Sequence, residues 1–242
     1  VYHLAANAAE SKAQFSPVDI TSRNYDGAIK LIAAAIRHGS RRLVFTSSIA
    51  VYGQRQTPFR ESDQPQPEDI YGISKLAVEE SLRVLAAVHG LEYVITRPHN
   101  VYGPRQNMQD PYRNVVTIFL NAVLQQQPLY VYGNGEQVRC FSYIDEVADA
   151  LVQCGTAPVS GLTFNIGADQ QYSINQLLQT LQQVVGQPLT PVYLPLRPRE
   201  VMTAVSDHQL SRQYLAYQDR TTLQTGLART WEWVQQMGYQ PP

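Results

Sequence analysis

Two short runs rich in β-branched and aromatic residues, Arg42 to Ser47 and Glu92 to Arg97, bracket a helix-periodic stretch from Tyr71 to about His89. Neither run alternates polar with apolar residues, as a strand with one wet face would, so each reads as a strand buried on both faces. Such strands sit in parallel sheets, where a neighbour is reached only through a crossover. The order strand, helix, strand therefore predicts right-handed βαβ units in a doubly wound parallel sheet, an α/β fold. A second helix is expected from Val18 to Arg37, with apolar positions at Ile20, Ala28, Leu31, Ile32 and Ala35 and Gly39 near its end. The chain opens as Val1-Tyr2-His3-Leu4-Ala5-Ala6, an apolar run leading into small residues, which reads as the end of another buried strand. An uncovered sheet edge is a liability, so further chain is expected upstream of Val1.

The texture changes after Pro98. Helices are expected from about Asn114 to Gln125, Asp145 to Cys154, Asp207 to Tyr214 and Thr222 to Met237, and from an N-cap at Ser173 to Val185. Strands are expected at Leu129 to Tyr132, Val138 to Ile144 and Leu162 to Ile166. Gly133-Asn134-Gly135 reads as a hairpin turn, and the segment holding Pro188, Pro191, Pro195 and Pro198 as extended chain. The expected division is an α/β portion of residues 1–100 and 136–167 and a smaller α+β portion of residues 101–135 and 168–242.

Nineteen basic against twenty acidic residues give a net charge of −1, so no basic field draws the chain to nucleic acid or anionic lipid. Cys140 and Cys154 are too few for a disulfide framework and match no zinc spacing, so they read as buried small hydrophobes and no metal is expected. No apolar run approaches the ~20 residues that cross a bilayer, and no secretory leader is expected. A reducing cytoplasm is the expected setting.

The chemistry concentrates in Tyr71-Gly72-Ile73-Ser74-Lys75, preceded by Thr46-Ser47-Ser48 at the exit of a strand. A tyrosine and a lysine four apart on a helix share one face. An ammonium beside a phenol favours the phenolate and draws its pKa down from about 10, which suits a proton shuttle for a sugar hydroxyl. By itself the spacing is a weak signal, because an amphipathic tyrosine and a solvated lysine are commoner occupants of such a face.

Its surroundings sharpen it. His3-Leu4-Ala5-Ala6, Asn24-Tyr25-Asp26-Gly27, Thr46-Ser47-Ser48 through Val51-Tyr52-Gly53, and Tyr71 to Lys75 stand in order along the first half. Arg97 to Pro104, Val131 to Gly135, Arg139, Asp145 to Ala148 and Phe164 to Gly167 follow. Together they resemble the extended short-chain dehydrogenase/reductase family, in its NAD-dependent nucleotide-sugar epimerase/dehydratase branch, over essentially the whole chain. The resemblance implies a Rossmann domain and a smaller substrate-binding portion. In that family a glycine-rich turn at a helix N-terminus holds the ADP part of NAD. The sequence contains no GxxGxxG or GxGxxG, so one βαβαβ unit of roughly 60 residues, at about 30 per βαβ, is expected to precede it.

The resemblance also assigns roles. Leu4, Ala5 and Ala6 lie against the cofactor, Asn24 orders the active-site backbone, and His99 sits beside the nicotinamide. Tyr71 is the catalytic base, Lys75 bonds the nicotinamide ribose, and Ser48 supplies a hydroxyl to the sugar, whereas Thr46 and Ser47 read as strand-end backbone partners. For the nucleotide sugar it implies Asn100, Asn114, Val115, Val131, Tyr132, Arg139 and Arg197, the two arginines at the diphosphate, where a planar guanidinium can bind bidentately. Arg199 replaces a glycine of the family pattern.

Dehydratases of this family carry two carboxylates directly after the catalytic Ser or Thr, and decarboxylases a glutamate. Here Ile49 and Ala50 stand there. The implied reaction is 4-epimerisation of a UDP-glucose or UDP-glucuronate type substrate through transient C4 oxidation by NAD, in a homodimer. A nucleotide-sugar dehydrogenase or ketoreductase, or an inactive nucleotide-sugar-binding chain, is the alternative.

Overall fold

The computed structural model describes residues 1–8, 13–108, 110, 112, 114–197 and 200–237. Pro198 of the expected extended segment and Arg199 lie outside them.

The first half runs β1 (Tyr2–His3), α1 (Pro17–Thr21), a π-helical turn (Ser22–Asp26), α2 (Gly27–Arg37), β2 (Arg42–Thr46), α3 (Ile70–His89), β3 (Glu92–Pro98) and β4 (Val101–Tyr102). Next come α4 (Val115–Leu124), β5 (Leu129–Tyr132), β6 (Val138–Cys140), β7 (Ser142–Tyr143), α5 (Ile144–Thr156), β8 (Leu162–Ile166) and β9 (Gln171–Ser173). The chain continues through α6 (Ile174–Val185), β10 (Pro191–Leu194), β11 (Thr203–Ala204), α7 (Gln209–Leu215) and α8 (Leu223–Met237).

The elements fall into two compact units. The first comprises residues 1–99, 147–166 and 206–218 and holds a parallel sheet in the order β1-β2-β3-β8. Tyr2, Val44, Val94 and Leu162 lie in one row across it. Side chains of a strand alternate between faces: Leu43, Phe45 and Ile95 pack with Ala28, Ile32 and Ala35 of α2 and with Val78, Leu82 and Ala86 of α3. Burying each large side chain in such a layer contributes about 1.5–3 kcal/mol. This is the α/β parallel architecture expected from the strand, helix, strand order.

Helix α3 starts where Asp69 caps it, accepting from the Gly72 N–H at 2.8 Å, and stops where Gly90 takes a left-handed φ of 69°. Its buried stripe is Tyr71, Lys75, Val78, Glu79, Leu82 and Ala86. The C-terminal half of that stripe is ordinary core. The N-terminal half is polar, which a purely structural helix would avoid.

The second unit comprises residues 100–146, 167–205 and 219–242. Among the described residues it holds three small sheets, β10 paired with β5, β11-β6-β9, and β4 paired with β7. Its core joins Val116, Phe119 and Leu120 of α4, Val131 of β5, Leu177 and Leu181 of α6, and Leu223 and Leu227 of α8. A full capping box at Ser173 and Gln176 starts α6.

Three expectations differ from the observed chain. Gly133-Asn134-Gly135 is a turn with left-handed glycines (φ 75° and 78°), but the strands it joins do not pair with each other. β5 pairs with β10 and β6 with β9 and β11, so the turn is not a hairpin. The single strand expected from Val138 to Ile144 breaks at Phe141 into β6 and β7, which join separate sheets. Residues 136–146 belong to the second unit and 206–218 to the first, where Ser206 bridges Phe59 and Tyr214 packs on Phe164. No helix among the described residues is long and apolar enough to cross a membrane.

Candidate functional site

In the first unit the site residues gather where β2 ends and α3 begins. Tyr71 and Lys75 share one face of α3, with the Lys75 Nζ 5.8 Å from the Tyr71 ring centroid and 5.0 Å from that of Phe45. The Tyr71 ring packs with Ala13, Ile20 and Ala50. The Lys75 Nζ donates to the Thr46 carbonyl at 2.7 Å. An ammonium carries three donors, so two remain beyond that bond. Burial pulls the Lys75 pKa down to about 8 against the opposing charge of Glu79.

Ser48 leaves β2 in extended conformation and caps a 3₁₀ turn, Ile49–Val51, its Oγ accepting from the Ala50 N–H at 3.1 Å. The hydroxyl proton is thereby kept for another acceptor. Gly72 explains how this turn comes so near α3: a Cβ there would lie 2.7 Å from the Ala50 carbonyl oxygen. Gly72→Ala is accordingly expected to lower stability by about 1–3 kcal/mol and to cut turnover by pushing the Ser48 turn from the helix. Denaturant unfolding and initial rates of that variant check both effects.

Glu79 and Arg97 were missed as partners in the sequence. Arg97 is fully buried, with Nε 3.0 Å from Glu79 Oε1 and Nη2 2.6 Å from Oε2. Burial by itself would lower its pKa; the bonds and charge of Glu79 outweigh it and keep the guanidinium charged. Its other face lies 4.7 Å from the Tyr52 ring centroid. The Tyr52 hydroxyl donates to Asn165 Oδ1 at 2.7 Å, and burial pushes its phenol up to about 12, which rules it out as a base near neutrality. The available signal was the position of Glu79 on the buried stripe, one turn beyond Lys75.

Asn24 lies buried in the π-helical turn, and its amide exchanges two bonds with the backbone of Asn7, at 2.7 and 3.1 Å. It thus fixes the chain just beyond Leu4 and Ala5, which are exposed, and Ala6, which is half-buried. His99 has no exposed surface, and its N–H donates to the Ile166 carbonyl. His3, quoted in the sequence but given no role, is buried against Phe45; burial and then Lys75 lower its pKa.

The second unit holds the remaining predicted residues. Asn100 adopts a positive φ of 38°, a conformation asparagine tolerates, and its amide donates to the Cys140 carbonyl. Asn114 caps α4 and donates to the Val101 carbonyl at 2.6 Å. Val115 packs on the core and Val131 is buried within it. The Arg197 guanidinium stacks 3.8 Å from the Tyr132 ring centroid. Arg139 reaches Glu200 at 2.9 Å, and the Glu200 N–H donates back to the Arg197 carbonyl. Arg139 also donates through Nη1 to the Val138 and Met202 carbonyls, so backbone and Glu200 together hold its guanidinium.

Known proteins similar to this chain act on nucleotide sugars by name. The chain is 29% identical to the UDP-N-acetyl-alpha-D-glucosaminuronate decarboxylase of Bacillus cytotoxicus, over 98% of this chain and 77% of that protein. It is 31% identical to the UDP-glucose 4-epimerase of Mycolicibacterium smegmatis, over 96% of this chain and 74% of that protein. The crystal structure of UDP-glucose 4-epimerase with UDP-glucose from Thermotoga maritima superposes with a TM-score of 0.93 at 31% identity, covering 98% of this chain and 77% of that one. The model of the NAD dependent epimerase/dehydratase family matches residues 1–167, and the chain belongs to that family.

Proposed function

We propose that this protein interconverts nucleotide-diphosphate sugars of the UDP-glucose or UDP-glucuronate type at C4, with NAD as cofactor and Tyr71 as the acid–base group. The observation that carries the reading is the turn after Ser48. Ile49–Val51 brings no carboxylate beside Tyr71, while Asp69 is spent on the helix cap and Glu79 on Arg97. Elimination or decarboxylation needs a further acid–base group of that kind; reversible oxidation at C4 does not.

The residues fit the nicotinamide end of the cofactor. Lys75 keeps two donors beyond Thr46, and Ala5 and Ala6 offer small, accessible side chains. Held there, the cofactor would supply the hydride acceptor and donor that oxidation and reduction at C4 require. Tyr71 as phenolate takes the proton of the C4 hydroxyl, and Ser48 donates its hydroxyl to the same oxygen. Lys75 stabilises the phenolate by its charge. After the 4-keto sugar turns over, Tyr71 gives the proton back on the new face. Arg139 and Arg197 supply charge for the diphosphate, with Asn100, Asn114, Val115, Val131 and Tyr132 around the nucleotide sugar.

A homodimer is proposed from α3, which exposes Ile73, Val84 and Val88 along one stripe, together with the exposed Val18 of α1. A cytoplasmic setting accords with Cys140 and Cys154, both free and buried, whose thiols burial pushes up to about 12. The reading is tested by incubating the intact protein with NAD and UDP-glucose or UDP-glucuronate and following the sugar by NMR. The C4 epimer is expected; a 4-keto-6-deoxy sugar or a pentose overturns it.

A further inference from the structure

The buried stripe of α3 carries one charged group that the proposed chemistry leaves idle. Glu79 has no exposed surface. Its Oε1 accepts from Ser47 Oγ at 2.6 Å and from Arg97 Nε at 3.0 Å. Its Oε2 accepts from Arg97 Nη2 at 2.6 Å and from Arg83 Nη2 at 3.2 Å. An ion pair this deep contributes little net stability over well-packed apolar residues. Stability therefore does not account for a carboxylate at this place.

Its partners do. Ser47 stands between Thr46, whose carbonyl receives Lys75 at 2.7 Å, and Ser48. The Ser47 N–H donates to the Thr96 carbonyl at 2.7 Å, next to Arg97 on β3. The carboxylate thus closes a ring of bonds through α3, the exit of β2 and the end of β3. Glu79 also lies one turn beyond Lys75 on the same stripe.

We infer that Glu79 is a positioning residue for the Tyr71–Lys75 pair, its carboxylate locking the exit of β2 onto α3 and favouring the charged form of Lys75. The inference rests on the roles given to Tyr71 and Lys75 above. The groups around Lys75 are Tyr71 and Glu79 from α3, His3 from β1 and the Phe45 ring from β2, with Arg97 of β3 behind Glu79. His3 carries a lowered pKa, so above neutrality Glu79 is the anion that holds the Lys75 proton.

The test uses the intact protein and two variants. Glu79→Gln keeps the shape and removes the charge. The Lys75 titration, followed by NMR of its side chain without substrate, should move down by about one pH unit or more. The value of kcat should fall at least about tenfold with KM within about twofold, and the alkaline limb of the kcat profile should shift to lower pH. Ser47→Ala cuts the tie and keeps the charge: kcat should fall about threefold or more, with the Lys75 titration unmoved. A purely structural role predicts a lower unfolding midpoint with titration and kcat unchanged, which overturns the inference. Should Glu79→Gln not fold, Ser47→Ala decides, and an unaltered kcat there overturns it. The NMR titration needs no turnover, so a wild-type protein without epimerase activity counts against the proposed function while Glu79 is still judged on Lys75.

Discussion

Tyr71→Phe is expected to lower kcat by at least about a hundredfold, the usual scale of general acid–base catalysis. The ring packs with Ala13, Ile20 and Ala50, and phenylalanine retains that packing. Only the hydroxyl is lost, at the N-terminal end of a helix whose cap and core are untouched. Unfolding midpoint and KM should therefore stay close to wild type while turnover collapses. A variant that turns over nearly normally removes Tyr71 as the base. Equal losses in stability and rate would mean that the hydroxyl serves the fold instead.

Lys75→Met carries the second large effect, and it acts in opposite directions on stability and rate. Methionine keeps the length and apolar stem, but has no charge to place beside the phenol, so activity should drop at least about a hundredfold. Stability should rise. In the ligand-free protein burial holds the Lys75 pKa at about 8, against 10.5 when exposed. Between those values the folded chain binds fewer protons than the unfolded one, so stability increases with pH across that window. Below pH 8 both states are protonated and the whole cost of burying the ammonium remains, on the order of 3 kcal/mol. Removing it should raise the midpoint at pH 7 by about 5 °C or more. The gain should shrink as the pH approaches 10.5. Thermal unfolding of both proteins at pH 7 and pH 10 checks it, and a lower midpoint for Lys75→Met at pH 7 contradicts the account of a lysine held against its solvation.

Much of the first unit was legible because its signals are local. β2, α3 and β3 show as unbroken apolar runs and a 3.6-residue stripe, and α6 shows at Ser173, where the capping box forms. The short strands β4, β9 and β11 carry no such pattern; each exists because a distant segment supplies its partner. The same cause misled the reading of Gly133-Asn134-Gly135. Its chemistry suits a tight turn, yet β5 finds its neighbour in β10, far along the chain. The site divides in the same way. Tyr71 and Lys75 were visible from helical spacing, and Ser48 from its place at a strand exit. Glu79 was not, since an acidic residue amid Glu80 and Arg83 looks like solvated surface until Ser47 and Arg97 are seen to close on it.

The central claim is reversible oxidation at C4 by a site with one proton-carrying group. The most direct measurement repeats the incubation of the intact protein with a substrate deuterated at C4 and locates the label by NMR. The account predicts a C4 epimer that keeps deuterium at C4, without net consumption of NAD. Label lost to solvent, a product changed at C5 or C6, or reduced cofactor accumulating in step with product would each contradict it.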